Sequence, residues 1–330
     1  MGEATPYQQF AEKMMHKDSK WIPEILSSMI NDEQAELLLS LPGTADEMAQ
    51  KTGRDEQAVE ADLQDMFHKG LTFKKTKEGV TTWRPPAHLA QFHDATIVWP
   101  EADEGFYELW RKYMEEEWPQ LAQLVTKFLP RPFTRVIPVG KSVESGKAQV
   151  LAPENVKDII DNSQKLAVTK CTCRTTMKKC DAPVEVCLQV NRGAEYTIER
   201  GSGREVDKAE ALDIIKQSQE AGLVHVTMNK SGIGHFICNC CGCCCQSFTL
   251  LISEGLPLCD PSRFRPHVDL ELCSSCGDCE DRCWFGAIEV GDEGAQVIEE
   301  QCLGCGQCAI GCPEEAIAMY EVREPDFIPA

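Results

Sequence analysis

Cys273-Ser-Ser-Cys276-Gly-Asp-Cys279-Glu-Asp-Arg-Cys283 returns 29 positions later as Cys302-Leu-Gly-Cys305-Gly-Gln-Cys308-Ala-Ile-Gly-Cys312, followed by Pro313. Ala287-Ile288 returns as Ala316-Ile317 at the same offset. The repeated unit is therefore a cysteine loop, a short helical turn and an apolar strand. Three thiolates on one tight loop can reach three irons of a cubane, and the fourth ligand must come from elsewhere. Four thiolates also suit zinc, but zinc ribbons use two separated Cys-x-x-Cys hairpins, not a run of four at this spacing.

The stretch from His267 to Tyr320 resembles bacterial-type two-cluster ferredoxins. That resemblance implies a crossover, in which Cys273, Cys276, Cys279 and Cys312 hold one [4Fe–4S] cluster and Cys302, Cys305, Cys308 and Cys283 hold the other. Trp284 departs from the pattern, standing where a proline usually follows the fourth cysteine. The departure leaves ligation intact and bears on the local turn and the potential of the nearby cluster.

The chain has 330 residues, enough for two or three domains. All 19 cysteines fall after residue 170, so the first half is free of them and the last 160 residues are about 12% cysteine. An odd count in a long chain without an apolar leader argues for metal or iron–sulfur ligation over disulfides. Lys+Arg 33 against Asp+Glu 53, a net charge of -20, would repel nucleic-acid phosphates and anionic lipid. No run is apolar and long enough to span a membrane. The opening MGEATPYQQF has no h-region, and Pro6 stands where a lipidation signal needs Ser or Thr, so the expected compartment is the cytoplasm.

Eleven cysteines lie outside the repeat: Cys171, Cys173, Cys180 and Cys187, then Cys238, Cys240, Cys241, Cys243, Cys244 and Cys245, with Cys259 alone. In an extended segment Cys238 and Cys240 face one way and Cys241 and Cys243 the other, unless Gly242 bends the chain. One loop can thus ligate two sites, and all ten clustered cysteines are candidate metal ligands. One or two further iron–sulfur clusters are expected, with zinc and free redox thiols as the alternatives. The arrangement also resembles poorly characterised ferredoxin-type iron–sulfur proteins of anaerobic microbes, which implies iron–sulfur chemistry and no particular reaction. His235 is a candidate fourth ligand or proton donor, weighed against a packed or surface histidine. Arg174, Lys170, Lys178 and Lys179 either offset thiolate charge or form a solvated face. Gly201-Ser-Gly203 reads as a turn.

Toward the N-terminus, Asp32–Ser40 reads as a helix. Thr44 and Glu47 form a capping box for a second, and Asp55 caps a third with Val59, Leu63, Met66 and Phe67 on its apolar face. Two β-like runs follow around Glu78-Gly79. Residues 21–86 resemble a winged helix-turn-helix domain, but the third helix carries Asp55, Glu56, Glu60, Asp62 and Asp65, which suits dimerisation or partner docking and not a DNA groove. Asp103–Phe128 reads as a long helix split by Pro119, and prolines 130, 132 and 138 mark a linker. Central elements are a helix at 153–162, a strand at 166–169, a helix at 207–221 capped by Asp207, and a strand at 223–228.

The expected architecture is α+β and multidomain: a winged-helix-like module (1–100), a helical linker (101–134), a central α/β cysteine-rich domain (135–262) and a two-cluster ferredoxin domain (263–330). The expected function is that of an iron–sulfur oxidoreductase passing low-potential electrons to a central cysteine-ligated metal site in an anaerobe's redox complex. A non-catalytic electron-transfer subunit and a redox-sensing winged-helix regulator are the alternatives. Expected partners are a redox protein or larger oxidoreductase complex, and a second copy through the N-terminal module.

Overall fold

The computed structural model describes residues 4–144 and 150–330, and the chain divides into two compact units. One runs to Leu121 and adds 175–177 and 198–203; the other holds the remainder. No helix among the described residues is long and apolar enough to cross a membrane.

Local signals decide the helices of the first unit. Thr44 Oγ1 accepts from the Glu47 amide at 3.2 Å, and the Thr44 amide donates to Glu47 Oε2 at 2.8 Å, closing the capping box of the helix Ala45–Thr52. Asp55 accepts from the Ala58 amide at 3.1 Å and opens Glu56–His68, which buries Val59, Leu63, Met66 and Phe67. Strands β1 (Phe73–Lys77) and β2 (Val80–Arg84) pair around Glu78 and Gly79, both at positive φ as a tight hairpin turn requires. Trp21–Ser27 and Asp32–Ser40 precede these elements within residues 21–86, and Pro6–Lys13, Leu89–Ile97 and Glu104–Glu116 flank them. Trp110 of the last is fully buried, edge-on to Phe92 at 5.0 Å and to Tyr113 at 5.7 Å. These aromatics hold Glu104–Glu116 to the rest, so the compact unit continues past residue 100. The long helix expected over 103–128 is two, Glu104–Glu116 and Trp118–Phe128. Pro119 sits in the first turn of the second, where its missing N–H is harmless.

In the second unit, β3 (Thr134–Ile137), β4 (Leu166–Lys170), β5 (Glu185–Val190), β6 (Arg204–Glu205), β7 (Val224–Met228) and β8 (Phe236–Cys240) form one sheet in the order β3-β7-β8-β5-β4-β6. Every pairing is antiparallel. This corrects the expected α/β character of the central region: parallel strands need covering crossovers, and here neighbours such as β7 and β8 are joined by a short loop. Asp207 caps the helix Lys208–Glu220, which packs on β4 and β5. The sheet places Cys187 on β5 and Cys238 and Cys240 on β8, with Val226 opposite Cys238 and Val224 opposite Cys240.

The same unit contains the repeat. Strand β9 (Phe264–Val268) pairs antiparallel with β12 (Ile317–Glu321), and β10 (Ile288–Gly291) with β11 (Gly294–Val297). The short helices Asp278–Asp281 and Gln307–Gly311 follow Gly277 at φ 89° and Gly306 at φ 78°, so the 29-residue repeat extends to backbone conformation. Arg263, only 1% exposed, binds Glu154, also 1% exposed, at 2.9 Å. This buried pair ties β9 to the segment before β4 and tolerates loss of neither partner.

Gly70, at φ +83°, would place a Cβ 2.3 Å from the Ala95 carbonyl oxygen. Gly70→Ala should destabilise the first unit by about 2–4 kcal/mol through backbone strain and overpacking. Urea denaturation followed by helical circular dichroism reads that loss. Iron content of the full chain should be unchanged, because that unit contains no cysteine.

Candidate functional site

Two cavities open in the repeat. Cys273, Cys276, Cys279 and Cys312 line the first together with Val290, Ala295 and Ile317. Cys283, Cys302, Cys305 and Cys308 line the second together with Pro266, Phe285 and Leu303. Each draws three sulfurs from one loop and the fourth from the other. The loops are held by backbone donors: the Ala287 amide donates to Cys283 Sγ at 3.2 Å, and the Ala316 amide, 29 positions on, to Cys312 Sγ at 3.3 Å. Burial pushes the Cys305 thiol up to about 12 and raises Cys308 as well, with neighbouring cysteines adding to both. Such thiols stay protonated at neutral pH unless a cation replaces the protons, which is the donor set an iron–sulfur core requires.

The middle cysteines fall into two groups. Cys180, Cys241, Cys243 and Cys244 place all four sulfurs within 4.8 Å of one another. The second group is strung along β8: Cys187 Sγ lies 3.7 Å from Cys238 Sγ, Cys240 neighbours Cys238 and Cys245, and Cys245 neighbours Cys173. Cys171 completes it, its thiol pushed up to about 12 by burial and then by Cys173. The two groups separate because β8 ends at Cys240 and the chain turns over Cys241–Cys244. Cys259 is buried in the same apolar core as Cys240 and Cys245, but its sulfur lies against the Asp260 carbonyl and it is part of neither sulfur group.

Arg174 is 2% exposed and not part of a solvated face, whereas Lys170, Lys178 and Lys179 are exposed. Its guanidinium donates to the carbonyls of Pro183 (3.0 Å) and Asn239 (2.9 Å) and to Cys241 Sγ at 3.7 Å. Burial works against its charge, but Cys171 and Cys241 more than compensate, so it stays cationic beside the thiolates. His235 belongs to neither sulfur group. Burial lowers its pKa, as do Lys230 and Arg192, and its backbone carbonyl serves the fold by accepting from Val190 at 2.8 Å.

His225 and Asn239 carry no motif that marks them in the sequence. The buried His225 ring contacts Asn239 Oδ1 at 2.6 Å and Gln219 at 3.0 Å, and Asn239 Nδ2 donates to the Val186 carbonyl at 2.6 Å. Burial lowers the His225 pKa to about 4, so the ring is neutral at ordinary pH. Anchoring Asn239 on one face of β8 commits its neighbours Cys238 and Cys240 to the other, because side chains alternate. The available signal was the polar residue between two cysteines, which in an extended segment points away from both.

Trp284 holds two segments together. Its Nε1 donates to the Gly222 carbonyl at 2.8 Å, and its ring lies against Gly242, where an added Cβ would stand 2.9 Å from Cε3. Arg282 reaches the Gln219 carbonyl at 3.0 Å, and Gln307 the Leu223 carbonyl at 2.6 Å. Beneath them one apolar core includes Cys240, Cys245, Phe248, Phe285 and Leu303, with Cys238, Cys283, Cys302 and Cys305 packed against it. The central cysteines of β8 and the second ferredoxin-type cavity therefore share walls.

Gly242→Ala should cost about 1–3 kcal/mol by pressing on Trp284 and Ile252. Adding Trp284→Ala should recover part of that, giving a coupling on the order of 1 kcal/mol in a double-mutant cycle read by thermal unfolding. Strictly additive losses would show that the two side chains do not meet.

Residues 272–317 match the family described as 4Fe-4S dicluster domain. Over 47 residues (14% of this chain, 18% of the relative) the chain is 40% identical to a subunit of the ion-translocating oxidoreductase complex of Methanosarcina acetivorans. Over 56 residues (17% and 65%) it is 38% identical to pyruvate synthase subunit PorD of Methanothermobacter marburgensis, and over 60 residues (18% and 56%) 32% identical to a ferredoxin of Pyrobaculum islandicum. The chain thus spans less than two thirds of each of these relatives. No solved structure matches it. The repeat is a ferredoxin-type 4Fe-4S dicluster domain, the part of this chain that carries iron–sulfur electron transfer.

Proposed function

We propose that this chain is a multi-cluster iron–sulfur oxidoreductase component. Cys273, Cys276, Cys279 and Cys312 hold one cubane and Cys283, Cys302, Cys305 and Cys308 the other. Cys171, Cys173, Cys187, Cys238, Cys240 and Cys245 supply the ligands of a central iron–sulfur site that receives the electrons. When bound, the clusters supply one-electron carriers. The chain positions the sulfurs, excludes water with Val290, Ile317, Phe285 and Leu303, and offsets negative charge with Arg174. The observation that supports this reading is the apolar core that Cys238, Cys240 and Cys245 share with Cys283, Cys302 and Cys305; on this reading it keeps donor and acceptor ligands dry.

The domain scheme belongs to this proposal: a winged-helix-like module (1–100), a linker (101–134) whose first helix joins that module's compact unit, a cysteine-rich domain (135–262) and a ferredoxin domain (263–330). The first module serves docking or self-association. Of its hairpin lysines, Lys74 already lies over the Phe67 ring at 4.4 Å and pairs with Glu199, and the third helix is acidic, so nucleic acid is a poor partner. A redox complex as partner is supported by the two relatives that are subunits of an ion-translocating oxidoreductase and a pyruvate synthase. The same two favour the second reading, a subunit that relays electrons without catalysis of its own.

Two cubanes account for about 8 irons, so the anaerobically reconstituted full chain should hold more than that. Cys238→Ser with Cys240→Ser should bring the content down toward about 8 while the ferredoxin-type signals survive in electron paramagnetic resonance. A wild-type content of about 8 or less would end the central-cluster reading.

Reduction adds negative charge to thiolate-ligated clusters on a chain of net charge -20. Potentiometric titration should therefore place the ferredoxin pair low, on the order of −400 mV or below.

A further inference from the structure

The ten clustered central cysteines do not form one kind of site, and the difference lies in sulfur spacing. Cys180 Sγ is 3.8 Å from Cys241 Sγ and 3.9 Å from Cys244 Sγ, and Cys243 Sγ is 3.8 Å from Cys244 Sγ. All four lie within 4.8 Å of one another, and among the described residues no other set of three or more candidate ligands does so. The eight ferredoxin-type cysteines are an internal control. They line two cavities, four to each, and neither four gathers so closely.

That contrast has a direct reading. In a cubane each thiolate binds a different iron, and the inorganic core holds the sulfurs apart. Four thiolates sharing a single ion at a metal–sulfur distance of about 2.3 Å sit at the corners of a tetrahedron with edges of about 3.8 Å. The observed separations follow the second pattern. A two-iron cluster is also excluded, since it would hold two close pairs apart from each other and not bring all four sulfurs together.

We propose that Cys180, Cys241, Cys243 and Cys244 bind one zinc ion, separate from the iron–sulfur site on β8. Four thiolates close the coordination shell, leaving no position for substrate, which is the signature of a structural zinc. The surroundings fit the charge: a zinc with four thiolates is a dianion, and the buried Arg174 guanidinium donates to Cys241 Sγ at 3.7 Å while the Lys179 amide donates to Cys244. Zinc does not change oxidation state, so the ion carries no electrons. It would pin the turn Cys241–Cys244, adding to the hold that the Trp284–Gly242 contact and the core around Cys240 and Cys245 already exert. The assignment deepens the metal-site reading of the central cysteines without depending on the proposed electron route.

The test uses the full chain purified without oxygen and without affinity metals. Elemental analysis should find about one zinc per chain beside the iron, and zinc K-edge absorption should show four sulfurs at about 2.3 Å with no metal neighbour. Cys180→Ser and, separately, Cys241→Ser with Cys244→Ser should each remove that zinc while the iron per chain and the ferredoxin-type resonance signals persist. Absence of zinc from wild type, a shell containing nitrogen or oxygen, or loss of iron with zinc retained in the variants would each overturn the proposal. The absorption measurement decides on wild type alone, so variants that fail to fold leave it falsifiable. Zinc present without extra iron would support this site while defeating the central-cluster reading, so the two failures are distinguishable.

Discussion

The contact on which the second unit turns is the indole of Trp284 against Gly242. A side chain at position 242 would collide with the ring, and a proline at position 284 would leave the turn after Cys240 without a wall. Through that one contact, together with the Trp284 bond to the Gly222 carbonyl, the cysteine-rich turn is pressed onto the ferredoxin-type domain. Phe248, Phe285 and Leu303 then fill the space beneath, and water is kept from sulfurs on both sides. Burial there raises the Cys302 and Cys305 thiols and makes those two sulfurs dependent on a bound cation.

The same logic explains the buried polar groups. His225 and Asn239 spend their hydrogen bonds on fixing one residue of β8, and the return is the direction of two thiols. Arg174 is placed where anionic sulfur accumulates, and the Arg263–Glu154 pair holds β9 against the segment that precedes β4. None of these groups has to react. Their effect is positional, which is the demand that electron carriers with rigid inorganic cores place on a protein.

Covalent spacing and local capping were legible directly. A run of cysteines at intervals of three and four residues specifies a loop that folds around a metal core, and its recurrence after 29 residues specifies two of them. Thr44 with Glu47, Asp55 and Asp207 capped the helices they were expected to cap, because a cap is satisfied within one turn of chain. The pattern was less informative where elements are held by distant partners. The helices Pro6–Lys13 and Leu89–Ile97 depend on the Phe10–Phe92 contact, made across more than 80 residues, and the antiparallel order of the central sheet leaves no mark on any single strand.

Sequence by itself determined that the C-terminal segment is a two-cluster iron–sulfur domain, since ligand identity and spacing are properties of the chain. For the middle cysteines it left iron–sulfur clusters, zinc and free redox thiols open. Only the tertiary structure decided how those middle thiols partition. Cys180 meets Cys241, Cys243 and Cys244 across some 60 residues of chain, and Cys187 meets Cys238 across a strand pair. Which sulfurs share an ion is a matter of angstroms between distant segments, and spacing along a chain carries no such distances.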